Sequence, residues 1–350
     1  MRVVAAIALL AVSLGAQALQ FTADEKARLI SHGPWPPAPR HDATNRVSGK
    51  PAAIALGERL FFEPGLSGTG SVLCASCHVP FRQFQDARAR AFGLEQVERN
   101  TPSLSNVGLY KWYGWDGARD SLWSQSIRPL LDAREMRSSP AHVAGLLRAR
   151  YAGDFERAFG EPVPSDDQEA MVDAGKALAA FQETLISART PFDDFRDALE
   201  RGDAVAAARY PAAAQRGAAL FVGRAGCESC HSGPHFTNNG FARTDASGGR
   251  IEAIAKLVAD PYNLLSRYND DPTGESAAPI RALAAQPGDA GAYRVPGLRN
   301  VALTAPYMHD GRYATLAELV RQHAPVPLSA DERDALVVFL RSLTDFSQLR

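Results

Sequence analysis

The 350-residue sequence lacks the features that mark several large classes of protein. It has 38 basic and 39 acidic side chains, so it lacks the excess positive charge of a nucleic-acid-binding protein. After the N-terminus, no apolar run approaches the roughly 18 residues that a membrane span needs. Alternating apolar and polar residues, the pattern of strands, are scarce. A hydrophobic fraction of 45% still supplies folded cores. The composition therefore favours a folded, mainly helical protein that binds no nucleic acid and has no membrane span.

The first residues have the pattern of an export signal. Arg2 forms a short positive region, residues 3–12 are apolar, and Ala16-Gln17-Ala18 is a small-x-small cleavage site. The apolar run is too short to cross a bilayer. We predict that residues 1–18 are a signal peptide and that the mature protein is periplasmic. An uncleaved anchor is the alternative.

Cysteine is rare, and its placement indicates a cofactor. The four cysteines form two copies of C-x-x-C-H, at residues 74–78 and 227–231, set 153 residues apart. Two disulfides would suit an exported protein, but C-x-x-C-H is the attachment signature of c-type haem. A thioredoxin-like motif needs no following histidine, and a zinc site would need a second Cys/His pair nearby. The predicted thioether cysteines are Cys74, Cys77, Cys227 and Cys230, and the predicted proximal iron ligands are His78 and His231.

A similar apolar helical stretch precedes each motif. Residues 52–62 (AAIALGERLFF) lie before the first, and residues 212–222 (AAAQRGAALFV) lie before the second. Repeated sequence around repeated motifs indicates repeated domains. We predict an all-α fold of two cytochrome c-like domains, each with one covalently attached haem c, with long loops. The N-terminal domain is predicted to span residues 19–205 and the C-terminal domain residues 206–350.

Further helices are predicted from the apolar periodicity and from capping sequences. Thr315-Leu-Ala-Glu318 and Ser329-Ala-Asp-Glu332 have the form of capping boxes that begin helices. The predicted segments are residues 140–159, 167–187, 251–258, 315–323 and 329–343. His32, His41 and His142 lie in polar surroundings and are predicted at the surface.

The residues around the motifs resemble the bacterial di-haem cytochrome c peroxidase family, which includes the MauG-type protein-oxidising enzymes. The resemblance spans roughly residues 57–343. It rests on Arg99-Asn100-Thr101-Pro102-Ser103, Trp115-Asp116-Gly117, Gln125, Pro129, Glu135-Met136, Val295-Pro296-Gly297-Leu298-Arg299-Asn300 and Thr304-Ala305-Pro306-Tyr307-Met308-His309-Asp310-Gly311. Gln125, Pro129 and Glu135 follow Trp115 by 10, 14 and 20 residues, as in the family.

The resemblance implies roles for individual residues. The N-terminal haem, on His78, is expected to react with peroxide, and Gln125 and Glu135 are expected on its open side. Splitting the O–O bond needs a proton moved between the two oxygens, which a carboxyl can shuttle while an amide orients the peroxide. Trp115 resembles the tryptophan between the two haems.

The resemblance also implies an inter-domain calcium ion. Asn100, Thr304 and Pro306 match the family's calcium ligands, one through its side chain and two through backbone carbonyls. Oxygen-only ligation suits this hard cation.

Two departures from the family refine the prediction. Many members carry a removable distal histidine after the first motif, but residues 79–115 contain neither histidine nor methionine, and the matching position falls near Leu94. We expect an open haem on His78 that reacts without prior reduction.

The second departure concerns the other haem. Fourteen residues after His309, where the peroxidases have methionine and the MauG type tyrosine, stands His323. We expect His231 and His323 to be its two axial ligands. Met308 is the competing ligand.

Three functions follow from this reading. The first is a periplasmic peroxidase, of the cytochrome-c peroxidase type, that reduces hydrogen peroxide with electrons from a c-type cytochrome or a cupredoxin. The second is a MauG-like oxidase that uses peroxide to modify tryptophan or tyrosine of a partner protein. The third is a non-enzymatic di-haem electron carrier, which would leave Gln125 and Glu135 without a role. Family members often form homodimers.

Overall fold

A computed structural model describes residues 21–346 of the chain, so the predicted signal peptide lies outside the described residues. The described chain is mainly helical, and none of its helices is both long and apolar enough to cross a membrane. The helices are α1 (Ala23–Ser31), α2 (Pro51–Phe61), α3 (Cys74–Cys77), α4 (Leu122–Leu131), α5 (Pro140–Leu146), α6 (Ala152–Phe159), α7 (Asp167–Gln182), α8 (Pro191–Arg201), α9 (Ala204–Ala207), α10 (Ala212–Val222), α11 (Arg250–Val258), α12 (Ala278–Arg281), α13 (Leu316–His323) and α14 (Ala330–Ser342). Short 3₁₀ turns and long loops connect them.

The described chain also contains a small sheet, so the fold is mainly rather than entirely helical. Strand β1 (Phe241–Arg243) pairs antiparallel with β2 (Ala292–Arg294), with Ala242 opposite Tyr293. The two strands lie within the long tract between the second motif and α13, and residues 244–291 connect them.

Most predicted helices are present with bounds close to the expected ones. The sequence before the second motif forms α10 over the predicted residues. Ser329 and Glu332 form a complete capping box at α14, whereas at α13 Thr315 accepts from the backbone of Glu318 and the Glu318 carboxylate binds Ala314 instead. The predicted helix at 140–159 is divided by one π turn, Leu147–Tyr151.

The repeat detected in the sequence corresponds to a repeated helix pair. Helix α2 packs against α7, and α10 packs against α14. In each pair a glycine at the same place in the repeat lets the backbones meet. A Cβ on Gly57 would lie 2.6 Å from the carbonyl carbon of Ala177, and one on Gly217 would lie 2.7 Å from that of Ala335. A side chain larger than hydrogen would fit at either place only if the facing backbone shifted.

The two apolar cores draw on segments from both sides of residue 205. One core, around α2, α4, α5 and α7, also contains Leu257, Tyr262 and Ile280 from the C-terminal half. The other, around α10, α13 and α14, contains Leu29 of α1 and Phe192 of α8. The boundary between residues 205 and 206 stays a prediction, and the packing shows that each core includes chain from across it.

Helix α1 brings a histidine into the second core. His32 is fully buried, so the prediction that it lies at the surface is wrong, whereas His41 and His142 are exposed. The His32 ring stacks on the Phe236 ring, with the two ring centroids 4.4 Å apart, and Nδ1 of His32 donates to the Gly233 carbonyl over 2.9 Å. Because this partner lies 201 residues away in the chain, local sequence gives no sign of the contact.

Candidate cofactor sites and the region between them

The first C-x-x-C-H motif forms one short helix, α3, followed by a turn. Cys74 and Cys77 are free thiols, and His78 follows directly. Nδ1 of His78 lies 2.9 Å from the Phe84 carbonyl and donates to it. This bond fixes the ring tautomer and leaves Nε2 available to a metal, as in ligating histidines generally.

The second motif has the same arrangement. Cys227 and Cys230 are free, and Nδ1 of His231 donates to the Phe236 carbonyl over 3.1 Å. Burial lowers the pKa of His231 to about 4, so its imidazole is neutral, which is the form that binds metals. The motif borders a cavity of about 580 Å³, within the range of cofactor sites.

Desolvation favours the neutral thiol form of three of the four cysteines. Burial raises the pKa of Cys74 to about 12 and those of Cys77 and Cys227 to about 11. The groups are therefore neutral thiols, and addition of a thiol across a vinyl group forms a thioether. Among the described residues no group of three or more His, Cys, Asp and Glu side chains could hold a metal ion. The residues present fit covalently attached haem c at both motifs.

A second histidine lies across the cavity from His231. Leu316 and Val320 bury one face of α13, and His323, on the last turn, lines the cavity. The ring centroids of His231 and His323 are 6.5 Å apart, with the planes at 70°. Two imidazoles that bind one metal from opposite sides at about 2.1 Å have ring centroids roughly 6.4 Å apart. Met308 also lines this cavity, in a left-handed backbone conformation with φ of 74°.

Helix α4 carries Gln125, and Glu135, on the loop after it, lies near the first motif. The Gln125 amide oxygen is buried and has no hydrogen-bond partner among the described residues. Burial lowers the pKa of His78, and the carboxylates of Glu135 and Asp86 partly oppose this effect, which places both acids close to its ring. Glu135 also contributes to the raised pKa of Cys77.

An arginine that the sequence analysis did not identify holds Glu135. Arg128 Nη1 donates to Glu135 Oε1 over 2.6 Å, and its Nη2 approaches Asp132 at 3.5 Å. Burial lowers the pKa of Arg128, but the Glu135 and Asp132 carboxylates outweigh it and hold the pKa above its ordinary value. The signal in the sequence was the position of Arg128, one helical turn after Gln125 on the same face.

Leu94 lies where many family members have a distal histidine. Its backbone N–H donates to the Glu135 carbonyl over 3.2 Å, and its side chain packs against the first core. An aliphatic side chain offers no ligand to iron. This loop therefore positions Glu135 without providing a sixth ligand.

Trp115 joins the two halves of the molecule. Its indole N–H donates to the Asn100 carbonyl over 2.8 Å, and its own carbonyl accepts from the backbone of Arg294 on β2 over 2.7 Å. Trp115 lines the cavity beside the second motif.

The three predicted calcium ligands line the same cavity as Trp115: Asn100, Thr304 and Pro306. The Asn100 side chain donates its N–H to the Arg88 carbonyl over 2.7 Å, which leaves its amide oxygen available to a cation.

A buried polar cluster, also missed from the sequence, lies between the two halves beside Trp115. His309 contacts Arg99 through Nδ1 at 3.0 Å and Asp245 through Nε2 at 2.6 Å. The Tyr293 ring stacks on His309 at 3.7 Å. Its members come from four distant segments, and sequence spacing could not bring them together.

Comparisons with known proteins identify the family of the chain. The family described as di-haem cytochrome c peroxidase matches residues 51–201. The chain is 35% identical over 312 residues to the methylamine utilization protein MauG of Methylorubrum extorquens, covering 84% of this chain and 78% of that protein. It is 30% identical to the cytochrome-c peroxidase IdrP1 of a Pseudomonas species, covering 93% and 89%.

Solved structures show the same fold. A MauG-like protein associated with microbial copper homeostasis superposes with a TM-score of 0.67 at 28% identity, covering 91% of this chain and 97% of that one. The di-haem peroxidase BthA of Burkholderia thailandensis superposes with a TM-score of 0.63 at 25% identity, covering 88% and 87%.

Proposed function

Because the chain belongs to the di-haem cytochrome c peroxidase family, we propose that it is a periplasmic peroxidase. It reduces hydrogen peroxide to water with electrons from a small redox protein, either a c-type cytochrome or a cupredoxin. The observation that best supports this function is the Glu135 carboxylate, which acts on the pKa of His78 and is paired with Arg128. An electron carrier would have no use for these polar groups at its iron.

The peroxide site uses its side chains to move one proton. Cys74, Cys77 and His78 would hold haem c, which would supply redox-active iron and, with the second haem, the two electrons that reduce peroxide. The Glu135 carboxylate accepts the proton of the near oxygen and returns it to the leaving oxygen, which departs as water. The Gln125 amide orients the peroxide, and Arg128 holds the carboxylate in position. Two further protons from solvent complete the reduction to two water molecules.

The second half of the molecule delivers electrons. His231 and His323 would hold the second haem, and their ring separation of 6.5 Å supports this pairing. Bis-His ligation gives a lower potential than Met/His, because methionine raises it. Trp115, bonded to both halves of the molecule, relays electrons between the cofactors. A calcium ion held by Asn100, Thr304 and Pro306 would fix the same region.

A MauG-like reaction is the second candidate. Leu94 offers no distal ligand, so the haem on His78 is open before any reduction, and a relative named MauG is 35% identical. The oxidised protein would then take electrons from tryptophan or tyrosine of a partner protein. Mass spectrometry of a partner incubated with enzyme and peroxide separates the two functions, because only this reaction leaves a covalently modified product.

The peroxide step is tested in the holoenzyme without any donor. Stopped-flow spectra should show a fast reaction with peroxide that Glu135→Gln slows by about 10²- to 10⁴-fold, the usual contribution of a proton-transfer group. Glu95→Gln is the matched control, because Glu95 is exposed and pairs with Arg137. Equal rates in all three proteins would contradict the role of Glu135.

A further inference from the structure

Buried cations lie over the rings of three of the four tryptophans. The pairs, each with the distance from the cation to the ring centroid, are Arg299 and Trp35 at 3.7 Å, Arg250 and Trp112 at 4.4 Å, and Lys176 and Trp123 at 5.7 Å. Among the described residues these are the cations found over tryptophan rings, and none lies over Trp115. The tryptophan proposed to relay electrons therefore differs from the other three in its electrostatic surroundings.

Of these three cations, Arg250 is the one that no carboxylate of the described chain neutralises by an ion pair. The other two each pair with an aspartate, Arg299 with Asp193 at 2.9 Å and Lys176 with Asp270 at 2.6 Å. Arg250 is only 3% exposed. Because an arginine stays protonated even when it is buried, Arg250 keeps a full positive charge beside Trp112.

Packing fixes the Arg250 guanidinium in this place. It lies between the ring of Trp112 and the ring of Phe241 on β1, 4.4 Å and 4.2 Å from the two ring centroids. Its Nη1 donates to the Gly117 carbonyl over 2.7 Å. A Cβ on Gly117, where φ is 71°, would lie 2.6 Å from that nitrogen, so this approach requires glycine. The charge cannot leave the Trp112 ring without breaking these contacts.

The other rings of residues 110–115 are also poor sources of an electron. Arg294 is 5% exposed, lies 3.7 Å from the Tyr110 ring centroid and forms no ion pair within the described chain. Oxidation of a tyrosine releases its phenol proton, but the Tyr113 hydroxyl donates to a backbone carbonyl, which is not a base. Burial also raises the pKa of Tyr113 above its ordinary value. Trp115 is the remaining aromatic ring of this segment.

A fixed positive charge over an aromatic ring opposes removal of an electron from that ring. The cation is attracted to the π electrons of the neutral ring, and it repels the ring once the ring has become positive. Little water screens this repulsion when the cation is buried. The Trp115 N–H bond to the Asn100 carbonyl acts in the opposite direction, because a hydrogen bond strengthens when its donor becomes positive.

We propose that Arg250 is a specificity-determining residue for the electron route, because it prevents Trp112 from giving up an electron and so confines transfer between the cofactors to Trp115. Arg294 acts in the same way on Tyr110. Without Arg250, and with no electron donor present, the Trp112 ring gives up two electrons, water adds to it, and two protons leave. One tryptophan and one peroxide then yield one hydroxytryptophan and one water. This inference rests on the proposed peroxidase function, in which Trp115 relays electrons.

The proposal is tested by treating the holoprotein with excess peroxide, without a donor, and measuring by mass spectrometry the fraction of Trp112 that gains one oxygen. Arg250→Gln should raise this fraction about tenfold or more, because the buried charge is removed. Arg250→Lys keeps the charge and should stay at the level of the unmodified protein. Arg59→Gln is the matched control and should also stay at that level: Arg59 lies 4.9 Å from the Tyr151 ring centroid, but it is exposed and paired with Asp154.

Three results of this experiment would overturn the proposal. One is no increase in Arg250→Gln. Another is equal oxidation in Arg250→Gln and Arg250→Lys, because packing rather than charge would then protect the ring. The third concerns the double variant Arg250→Gln/Glu135→Gln, which should lose the oxidised Trp112 together with the fast peroxide reaction. Oxidation that persisted there would mean that peroxide attacks a loosened ring directly.

A second measurement leaves Arg250 unchanged. Stopped-flow absorbance follows how fast peroxide oxidises the second haem. Trp112→Phe should leave this rate unchanged, and Trp115→Phe should remove most of it. An equal loss in the two variants would mean that Trp112 also carries electrons, which would overturn the inference and leave the proposed function intact. An unmodified protein that does not react with peroxide would contradict the proposed function and this inference with it.

Discussion

Replacing Gly217 by alanine should loosen the second core and the cofactor motif that follows it. The new Cβ would overlap the carbonyl oxygen of Ala335 and would lie 2.6 Å from the Cβ of Phe339, whereas ordinary contacts begin at 3.4 Å. Helices α10 and α14 must therefore separate by at least about 0.8 Å, because the Ala335 oxygen is nearer still. Phe339 packs against Phe236, whose carbonyl accepts the His231 N–H, so the displacement reaches the proximal ligand.

The size of the effect follows from this overlap. Overpacking of a rigid core by one methyl group costs about 1–3 kcal/mol. For a cooperative unit of about 150 residues that lowers Tm by about 3–10 °C. Gly57→Ala, at the same place in the first repeat, should have an effect of similar size on the first core.

Thermal unfolding of the holoprotein, followed by circular dichroism and by the haem absorbance, measures the change in Tm and the change in the free energy of unfolding. Gly145→Ala is the matched control: this helical glycine has open space around its Cβ, so alanine should stabilise the protein by about 0.5–1 kcal/mol. If Gly217→Ala is as stable as Gly145→Ala, the two helices are not in backbone contact and the repeat has been misread.

Three further predictions concern the sites and a buried acid. His323→Ala should abolish the low-spin ferric signal of the second haem and leave the first unchanged, whereas a near-infrared methionine–iron band that survives the substitution would assign the ligand to Met308. Arg128→Gln should slow the donor-free peroxide reaction about tenfold or more. Arg128→Lys should restore most of the rate, since lysine keeps the charge beside Glu135. Equal rates in the two variants would exclude a role for the Arg128–Glu135 ion pair. Burial raises the pKa of Glu183 to about 7, so the protein loses stability as pH rises towards and through that value. Glu183→Gln should therefore be more stable than the unmodified protein at pH 8, by up to about 3 kcal/mol in the free energy of unfolding, but not at pH 4. Urea unfolding at the two pH values measures this difference.

The helices and the cofactor motifs could be predicted because their signals are local. Apolar residues at helical spacing predicted bounds close to those of α10 and α14. Each of the two C-x-x-C-H motifs lies in one continuous stretch of sequence. Helix α8 was missed, although Thr190 and Asp193 form a capping box there and Phe192, Phe195 and Leu199 stand at helical spacing. The position of His323 was predicted from its family spacing, and α13 places it opposite His231.

Contacts that no periodicity in the sequence indicates could not be predicted. Arg128 and Glu135 are seven residues apart with a turn between them, and no periodicity indicates that they meet. His32 has the polar neighbours of a surface residue, yet its ring is buried under the second motif. Burial of this kind depends on which segments pack together, and a single sequence records that only indirectly.

Electron paramagnetic resonance of the diferric holoprotein, recorded before and after one equivalent of peroxide, shows directly whether the haem on His78 is open. We expect a high-spin signal from an open haem on His78 and a low-spin signal from a haem held by His231 and His323, with both lost on addition of peroxide. Two low-spin signals that do not respond to peroxide would contradict it, because the haem on His78 would then be closed.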